Sequence, residues 1–330
     1  MSEPVSPELT VVMATKNRPD LAARMCRSIL RSTGVDLEVV MVDDGSSPEA
    51  VEALAAVAAA YDCVRLHRIG VSGGPASARN AGLELAGGRW TSFVDDDDLV
   101  SPTYYRTVID HLEASGSSWG FGAAVSIDDD LKVIGSRPAR TPVPMLRALL
   151  QENIVPASGL AVTAATDVLR SIRGFDTECV GVEDWDLVIR LARECEPVMV
   201  AEPMLAFRSV SAGSVSADTQ RLHDAAKVIR RKFADDYRRL GIDIDWAALD
   251  RYLVMGDLAA KRRVPAAKRS LRAAWKRRSP RQLAKALLIF ISPDLAARQA
   301  RRRMVMMVPS EVSVYARAWL DEFAAASRLG

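Results

Sequence analysis

Histidine and cysteine are scarce in this sequence, with three of the former and four of the latter in 330 residues. The cysteines Cys26, Cys63, Cys179 and Cys195 show no C-x-x-C spacing and no histidine partner nearby, which leaves a disulfide framework or a zinc knuckle without support. A reduced, cytosolic setting is therefore expected. Long apolar runs are missing as well: the longest, ALLIFIS at 286–292, falls far short of the roughly 20 residues a spanning helix needs. The opening residues MSEPVSPELT have neither a basic start nor an apolar core, so no secretory leader is expected. What remains is ordinary globular composition, 49% hydrophobic and 26% charged. The length suits one large domain with an appendage, or two ordinary domains.

Charge is plentiful but unevenly spread. Between Arg251 and Arg303 about 16 Lys and Arg face only Asp257 and Asp294, so the rest of the chain is net acidic despite a total of +2. The acid is most concentrated in WTSFVDDDDLVSP at 90–102, where an apolar run breaks into Asp95, Asp96, Asp97 and Asp98. Adjacent carboxylates repel and are costly to bury unpaired, so the cluster is expected to face water, helix N-termini or a cation. A solvated turn that caps the next helix and a metal site are both open on this stretch alone.

The first hundred residues alternate apolar runs with helical patterns. LTVVMA (9–14), LEVVMV (37–42), CVRLHRI and WTSFV read as strands, and PDLAARMCRSILRS (19–32), PEAVEALAAVAAAY (48–61) and PASARNAGLELA as helices with proline in the first turn. That alternation predicts an α/β fold, a largely parallel sheet covered by helices on both faces. Ligands of such sheets bind at the carboxyl ends of the strands. Thr15, Lys16 and Asn17 follow the first strand, Asp43, Asp44, Gly45 and Ser46 the second, and the four aspartates the fourth, so three polar loops gather on one rim. A second acidic run, Asp128 to Asp130, lies between two plausible strands and is expected to be a solvated hairpin turn. TDVLRSIRGFD reads as a short helix ending at Gly174, and GVEDWDLVIRLAREC as a longer one.

In order, TKNRP, VVMVDDGSS, GGPASARNAG, FVDDDD, GFD and GVEDWDLVIRL resemble the inverting family 2 glycosyltransferases of GT-A fold, over about residues 8–210. The resemblance implies a Rossmann-like, mostly parallel sheet in a nucleotide-sugar-dependent catalytic domain (1–215), followed by a basic helical region (216–330). It implies Mn2+ or Mg2+ on Asp97, with Asp95 facing the ribose or holding the ion through water; such ions favour carboxylate oxygen and stabilise a departing diphosphate. Asp96 is placed on the nucleotide side and, with Asp98, shapes the loop. Thr15 and Asp44 are implied contacts to base and ribose, with Asp43 the lesser one. Arg79 of the ARN tripeptide reaches either the nucleotide or the rim aspartates, and Gly73 and Gly74 allow close backbone approach. Asp184 is the implied catalytic base with Glu183 beside it, while Trp185 lines the acceptor site or belongs to the core.

One departure from the family pattern is plain. Where many members carry a histidine in a Y-R-x-H stretch, FRSVSAGSVS at 207–216 has Val210 and Ser211, leaving Arg208 as a phosphate contact. His67, His111 and His223 show no ligand spacing and are expected to be structural. The expected function is transfer of a sugar from a nucleoside-diphosphate donor, UDP above all, to a hydroxyl of a glycan or lipid-linked acceptor. Two alternatives stand beside it: a sugar-nucleotide nucleotidyltransferase, which TKNRP suits poorly for want of a Gly- and Lys-rich loop, and a non-catalytic sugar-nucleotide binder. The basic, apolar-laced stretch 251–308 suggests peripheral contact with the inner face of a membrane, or alternatively a packing subdomain, an oligomer contact or a grip on a polyanionic acceptor. No nucleic-acid reader motif is present.

Overall fold

The computed structural model describes residues 6–142, 144–156, 162–208, 219–259, 262–278, 280–296 and 308–327. The sequence Val210 to Ser216, including Ser211, and the cluster Arg301 to Met307 lie outside the described residues.

Strands β1 (Leu9–Thr15), β2 (Leu37–Asp43), β3 (Val64–Arg68) and β4 (Trp90–Asp95) form a parallel half-sheet in the order β3-β2-β1-β4. Strands β1 and β2 are continuous apolar runs because both faces are covered, as the expected architecture requires. The covering helices α1 (Pro19–Ile29), α2 (Pro48–Ala59) and α3 (Pro75–Leu85) each begin with proline, whose missing N–H costs nothing in a first turn. Ser47 caps α2 by accepting from the Ala50 amide. Helix α3 lies unusually close to the sheet at Gly82, where an added Cβ would come within 2.3 Å of Val12 Cγ1.

Beyond Asp95 the sheet becomes mixed. After the two-residue β5 (Leu99–Val100) and α4 (Tyr104–Ser115) come β6 (Trp119–Ile127) and β7 (Val133–Arg137), an antiparallel hairpin as the sequence predicts. Helix α5 (Met145–Gln151), strand β8 (Val162–Ala165), helices α6 (Thr166–Ser171) and α7 (Glu183–Glu194) and strand β9 (Val198–Arg208) complete this half. The full order is β3-β2-β1-β4-β8-β6-β9-β5, with β7 on β6. Strand β8 runs antiparallel to both β4 and β6, while β9 is parallel to β6 and antiparallel to β5.

The helical remainder comprises α8 (Thr219–Lys232), α9 (Ala234–Leu240), α10 (Trp246–Ala259), α11 (Arg263–Arg277), α12 (Pro280–Ile291) and α13 (Ser310–Ser327). Helices α8 and α9 share the main core through Ile229, Phe233 and Tyr237, and the Tyr237 hydroxyl donates to the Leu150 carbonyl. Helices α10 to α12 enclose a small core of their own, Val254, Leu258, Ala266, Ile289 and Ala296. Helix α13 returns to the sheet, burying Trp319, Leu320 and Phe323 against Leu99, Val125 and Ala206.

Candidate active site

Strand register assembles the rim. Thr15 is paired with Asp43 across β1 and β2, and Ala14 with Asp95 across β1 and β4, so the loops after all three strands open on one edge. Asn17, at a φ of 55°, clasps the first two: its amide donates to Ser46 Oγ at 2.8 Å and its Oδ1 accepts from the Ser47 amide at 2.8 Å. Side chains of Asn tolerate this left-handed backbone better than most.

The second loop is internally braced. Asp43 is fully buried, accepts from the Ser46 amide and faces Arg68 Nε at 3.5 Å. Asp44 accepts from Ser72 Oγ at 2.7 Å and from the amides of Gly73 and Gly74 at 2.8 and 3.1 Å. Gly74 stands at a φ of 83°, which a side chain would strain. Asp44 thus pins the 72–74 loop to the sheet at the start of α3.

The four aspartates divide their work. Asp96 is buried, accepts the Thr15 hydroxyl at 2.7 Å and is 3.1 Å from Arg18 Nη1; burial pushes its carboxyl up to about 6 against the pull of those two partners. Asp98 is buried and accepts the Arg208 amide, tying the rim to the end of β9; burial, then Asp95 and Asp97, raise it well above the usual range. Asp95 and Asp97 keep their side chains 42% and 30% exposed. Arg18 Nη1 lies 3.3 Å from Asp97 Oδ2, and Arg24 donates to the Asp97 carbonyl. Burial and the nearby Asp95 raise Asp97, a field that an added cation relieves.

Arg79 joins this rim to the other acidic motif. Its Nη2 is 2.5 Å from Asp95 Oδ1 and its Nη1 is 3.6 Å from Glu183 Oε1, with the guanidinium over the Phe175 ring at 5.3 Å. Burial pulls the Arg79 pKa down, but Asp95 and Glu183 more than offset it and the net shift is upward. Burial, followed by the charge on Asp184, raises Glu183, and the Gly181 amide donates to it at 2.6 Å. Asn80 locks the neighbouring turn: it donates to the Phe175 carbonyl and accepts from the Phe175 amide. Asp184, partly exposed at the start of α7, accepts from the Trp185 amide.

Thr15, Asp43, Asp44 and Asp95 to Asp97 are therefore on this edge, and Arg79 links it to Glu183, the neighbour of Asp184 at the start of α7. Trp185 is core: it is buried and its indole donates to the Leu149 carbonyl at 2.6 Å. Arg18 and Phe175 lie within the TKNRP and GFD motifs, but their partners, like those of Arg24, lie too far along the chain to leave a spacing. The expected hairpin turn is present, and Asp128 Oδ1 accepts from the amides of Asp130 and Lys132. Asp129 also reaches out of it to hold Arg208 Nε at 2.6 Å.

Two groups could attract a cation. Asp176, Cys179 and Asp186 place ligand atoms within 4.8 Å of one another, but the Lys232 ammonium sits among them, hydrogen-bonded to Asp176 and 2.6 Å from Asp186. Asp95 and Asp97 fit a hard divalent ion better: two partly exposed carboxylates, two residues apart, with half-exposed Arg18 as the counter-charge on Asp97.

Residues 10–163 match the model of Glycosyl transferase family 2. The succinoglycan biosynthesis protein ExoO of Rhizobium meliloti is 38% identical over 154 residues, 45% of this chain and 43% of that protein. The chain thus spans less than half the length of that relative. Staphylococcus aureus TarS 1-349 in complex with UDP-GlcNAc aligns over 98% of this chain and 92% of its own, at a TM-score of 0.57 and 18% identity. The mannosyltransferase PcManGT of Pyrobaculum calidifontis, in complex with GDP-Man and Mn2+, aligns over 99% and 91%, at 0.55 and 19%. Residues 10–163 thus carry the match to glycosyl transferase family 2, in a chain that has the GT-A fold of these two structures.

Proposed function

We propose that the chain is an inverting glycosyltransferase that moves one sugar from a nucleoside-diphosphate donor, UDP in first place, to a hydroxyl of a glycan or lipid-linked acceptor. The observation that carries this reading is the double contact of Arg79, which holds the open Asp95–Asp97 edge within one side chain of the α7 N-terminus. That spacing suits a diphosphate at the Asp95–Asp97 end and an acceptor hydroxyl at the α7 end.

Asp97 and Asp95 would hold Mn2+ or Mg2+, which when bound neutralises charge building on the diphosphate. The chain's own residues do the rest. Arg79 orients Asp95. Asp43 and Asp44 fix the loops that flank the nucleoside, and Thr15, through Asp96, sets the floor beneath it. Asp184 takes the proton of the acceptor hydroxyl as its oxygen bonds to the anomeric carbon; the bond from that carbon to the diphosphate oxygen breaks, and its electron pair leaves with the nucleoside diphosphate. Glu183, held by Arg79 and the Gly181 amide, positions the first turn of α7.

The binding partners named for the two structural neighbours differ, UDP-GlcNAc for one and GDP-Man for the other, so the base is tested directly. Thermal-shift screening of UDP and GDP sugars with and without manganese is expected to select a UDP sugar. In the same protein Asp184→Asn is expected to cut turnover on the order of 100- to 10,000-fold while donor binding persists. Undiminished turnover in that variant removes the base assignment; donor binding without any release of nucleoside diphosphate favours a non-catalytic binder.

A further inference from the structure

We infer that the solvent-facing side of helices α11 and α12 is a docking surface for an anionic lipid bilayer. The two helices are apolar on the wrong side for a packing subdomain. Helix α11 buries Ala266, Ala273 and Ala274 and exposes Leu271 and Trp275, the latter at 85%. Helix α12 buries Ala286 and Ile289 and exposes Leu283, Leu287, Phe290 and Ile291, the last two at 64% and 79%. The exposed set on α12 falls at i, i+4, i+7 and i+8, one continuous helical face. A helix pair that buries Ala266, Ala273, Ala274 and Ala286 and turns Trp275 and Phe290 outward presents those large apolar side chains to something outside the chain.

Charge decides what that something is. From Arg263 to Ile291 the sequence holds nine Lys and Arg and no Asp or Glu. Arg263, Lys268 and Arg278 are exposed on these helices. Among the described side chains of these helices the buried cation is Arg269, neutralised inward by Asp257 at 2.9 Å and Asp250 at 3.5 Å, with exposed Arg272 also reaching Asp250 at 3.2 Å; with no acid in the stretch itself, the outer side is positive. A second copy of the chain would bring the same positive face against itself. A free polyanion would answer the charge but leave the tryptophan, phenylalanine and isoleucine in water. A negatively charged lipid surface answers both, with headgroups for the cations and the acyl boundary for the apolar side chains. Among the described residues no helix is long and apolar enough to cross a membrane, so the contact is peripheral. The inference uses none of the rim residues and stands apart from the glycosyl-transfer reading.

Flotation of the full chain tests it, with vesicles of phosphatidylcholine alone and of phosphatidylcholine mixed with phosphatidylglycerol, at low and high salt. The expected result is recovery with the mixed vesicles, at least tenfold above recovery with phosphatidylcholine, and loss of most of that gain at high salt. The double variant Trp275→Ser, Phe290→Ser, both at exposed positions, is expected to lower recovery with mixed vesicles at least tenfold while leaving the melting temperature unchanged. Protein left in the dense fraction with both vesicle types overturns the proposal. So does equal flotation with both. A dimer in solution that the double variant converts to monomer also overturns it, and assigns the face to a second copy.

Discussion

The Arg79 guanidinium meets the Asp95 carboxylate at 2.5 Å from a buried position on α3, while the Asp95 side chain itself remains 42% exposed. One planar group thereby aims one rim carboxylate and, with its other arm, faces Glu183. Lysine carries a single point of charge and cannot serve both. Arg79→Lys is expected to lower turnover roughly 10- to 100-fold, the usual loss when a partner that orients a ligand is removed. Far-UV circular dichroism should stay the same. Full activity in Arg79→Lys would mean that Asp95 needs no such orientation.

Asp97 offers a sharper separation of binding from folding. Its removal relieves repulsion among the rim acids, so Asp97→Ala is expected to be no less stable than the parent without ligand. With manganese and a UDP sugar at about 100 times its dissociation constant, the parent gains about 2.7 kcal/mol by mass action. That gain should vanish in Asp97→Ala and in the parent treated with chelator. An equal ligand response in all three samples argues against a cation at this edge.

Gly82 tests whether the helix that carries Arg79 has to sit so close to the sheet. A methyl group there meets Val12 Cγ1 at 2.3 Å, with Val42 Cγ2 at 3.2 Å on the other side. Gly82→Ala is expected to cost on the order of 1–3 kcal/mol in urea denaturation, as overpacking does. It should also weaken donor binding by displacing Arg79 and the Gly73–Gly74 turn together. A stabilised variant would show that α3 rides over the sheet with room to spare.

His223 gives the pH dependence. Burial lowers its pKa, and the positive charges of Arg269, Lys227 and Arg272 lower it further against the opposing pull of Asp250. The folded protein therefore binds the proton less readily than the unfolded chain. The stability this histidine contributes is complete above its ordinary value of 6.5 and is lost as pH falls below it through the depressed folded value. His223→Gln should flatten that part of the stability profile, read from urea midpoints on either side of pH 6.5. A profile unchanged by the substitution would assign the acid sensitivity elsewhere.

The half-sheet was readable because its signals are local. Strands β1 to β4 are short apolar runs, and Pro19, Pro48 and Pro75 mark where each covering helix starts. The polar residues at their ends could be assigned to one edge by topology alone. The second half hid itself for equally physical reasons. Strand β5 is two residues long and exists only by pairing with β9, and β9 carries Pro203 within its run. The four acids and Arg79 are legible in the sequence, but other partners of the acids are not: Arg18 and Arg24 reach Asp96 and Asp97 across more than seventy residues, and the Arg208 backbone amide donates to Asp98. The link between the ARN tripeptide and the GFD turn, made by Asn80 on Phe175, leaves no periodicity to detect.

The last helix is a structural bolt on the strand that delivers Arg208 to the rim. Trp319 donates its indole proton to the Pro203 carbonyl, and Leu320 and Phe323 close over Ala206. Shortening the chain after α12 to obtain a smaller fragment would strip that cover from β9 and set its end adrift beside Asp98. A minimal working version of this protein must keep α13, however dispensable a distal tail looks on paper.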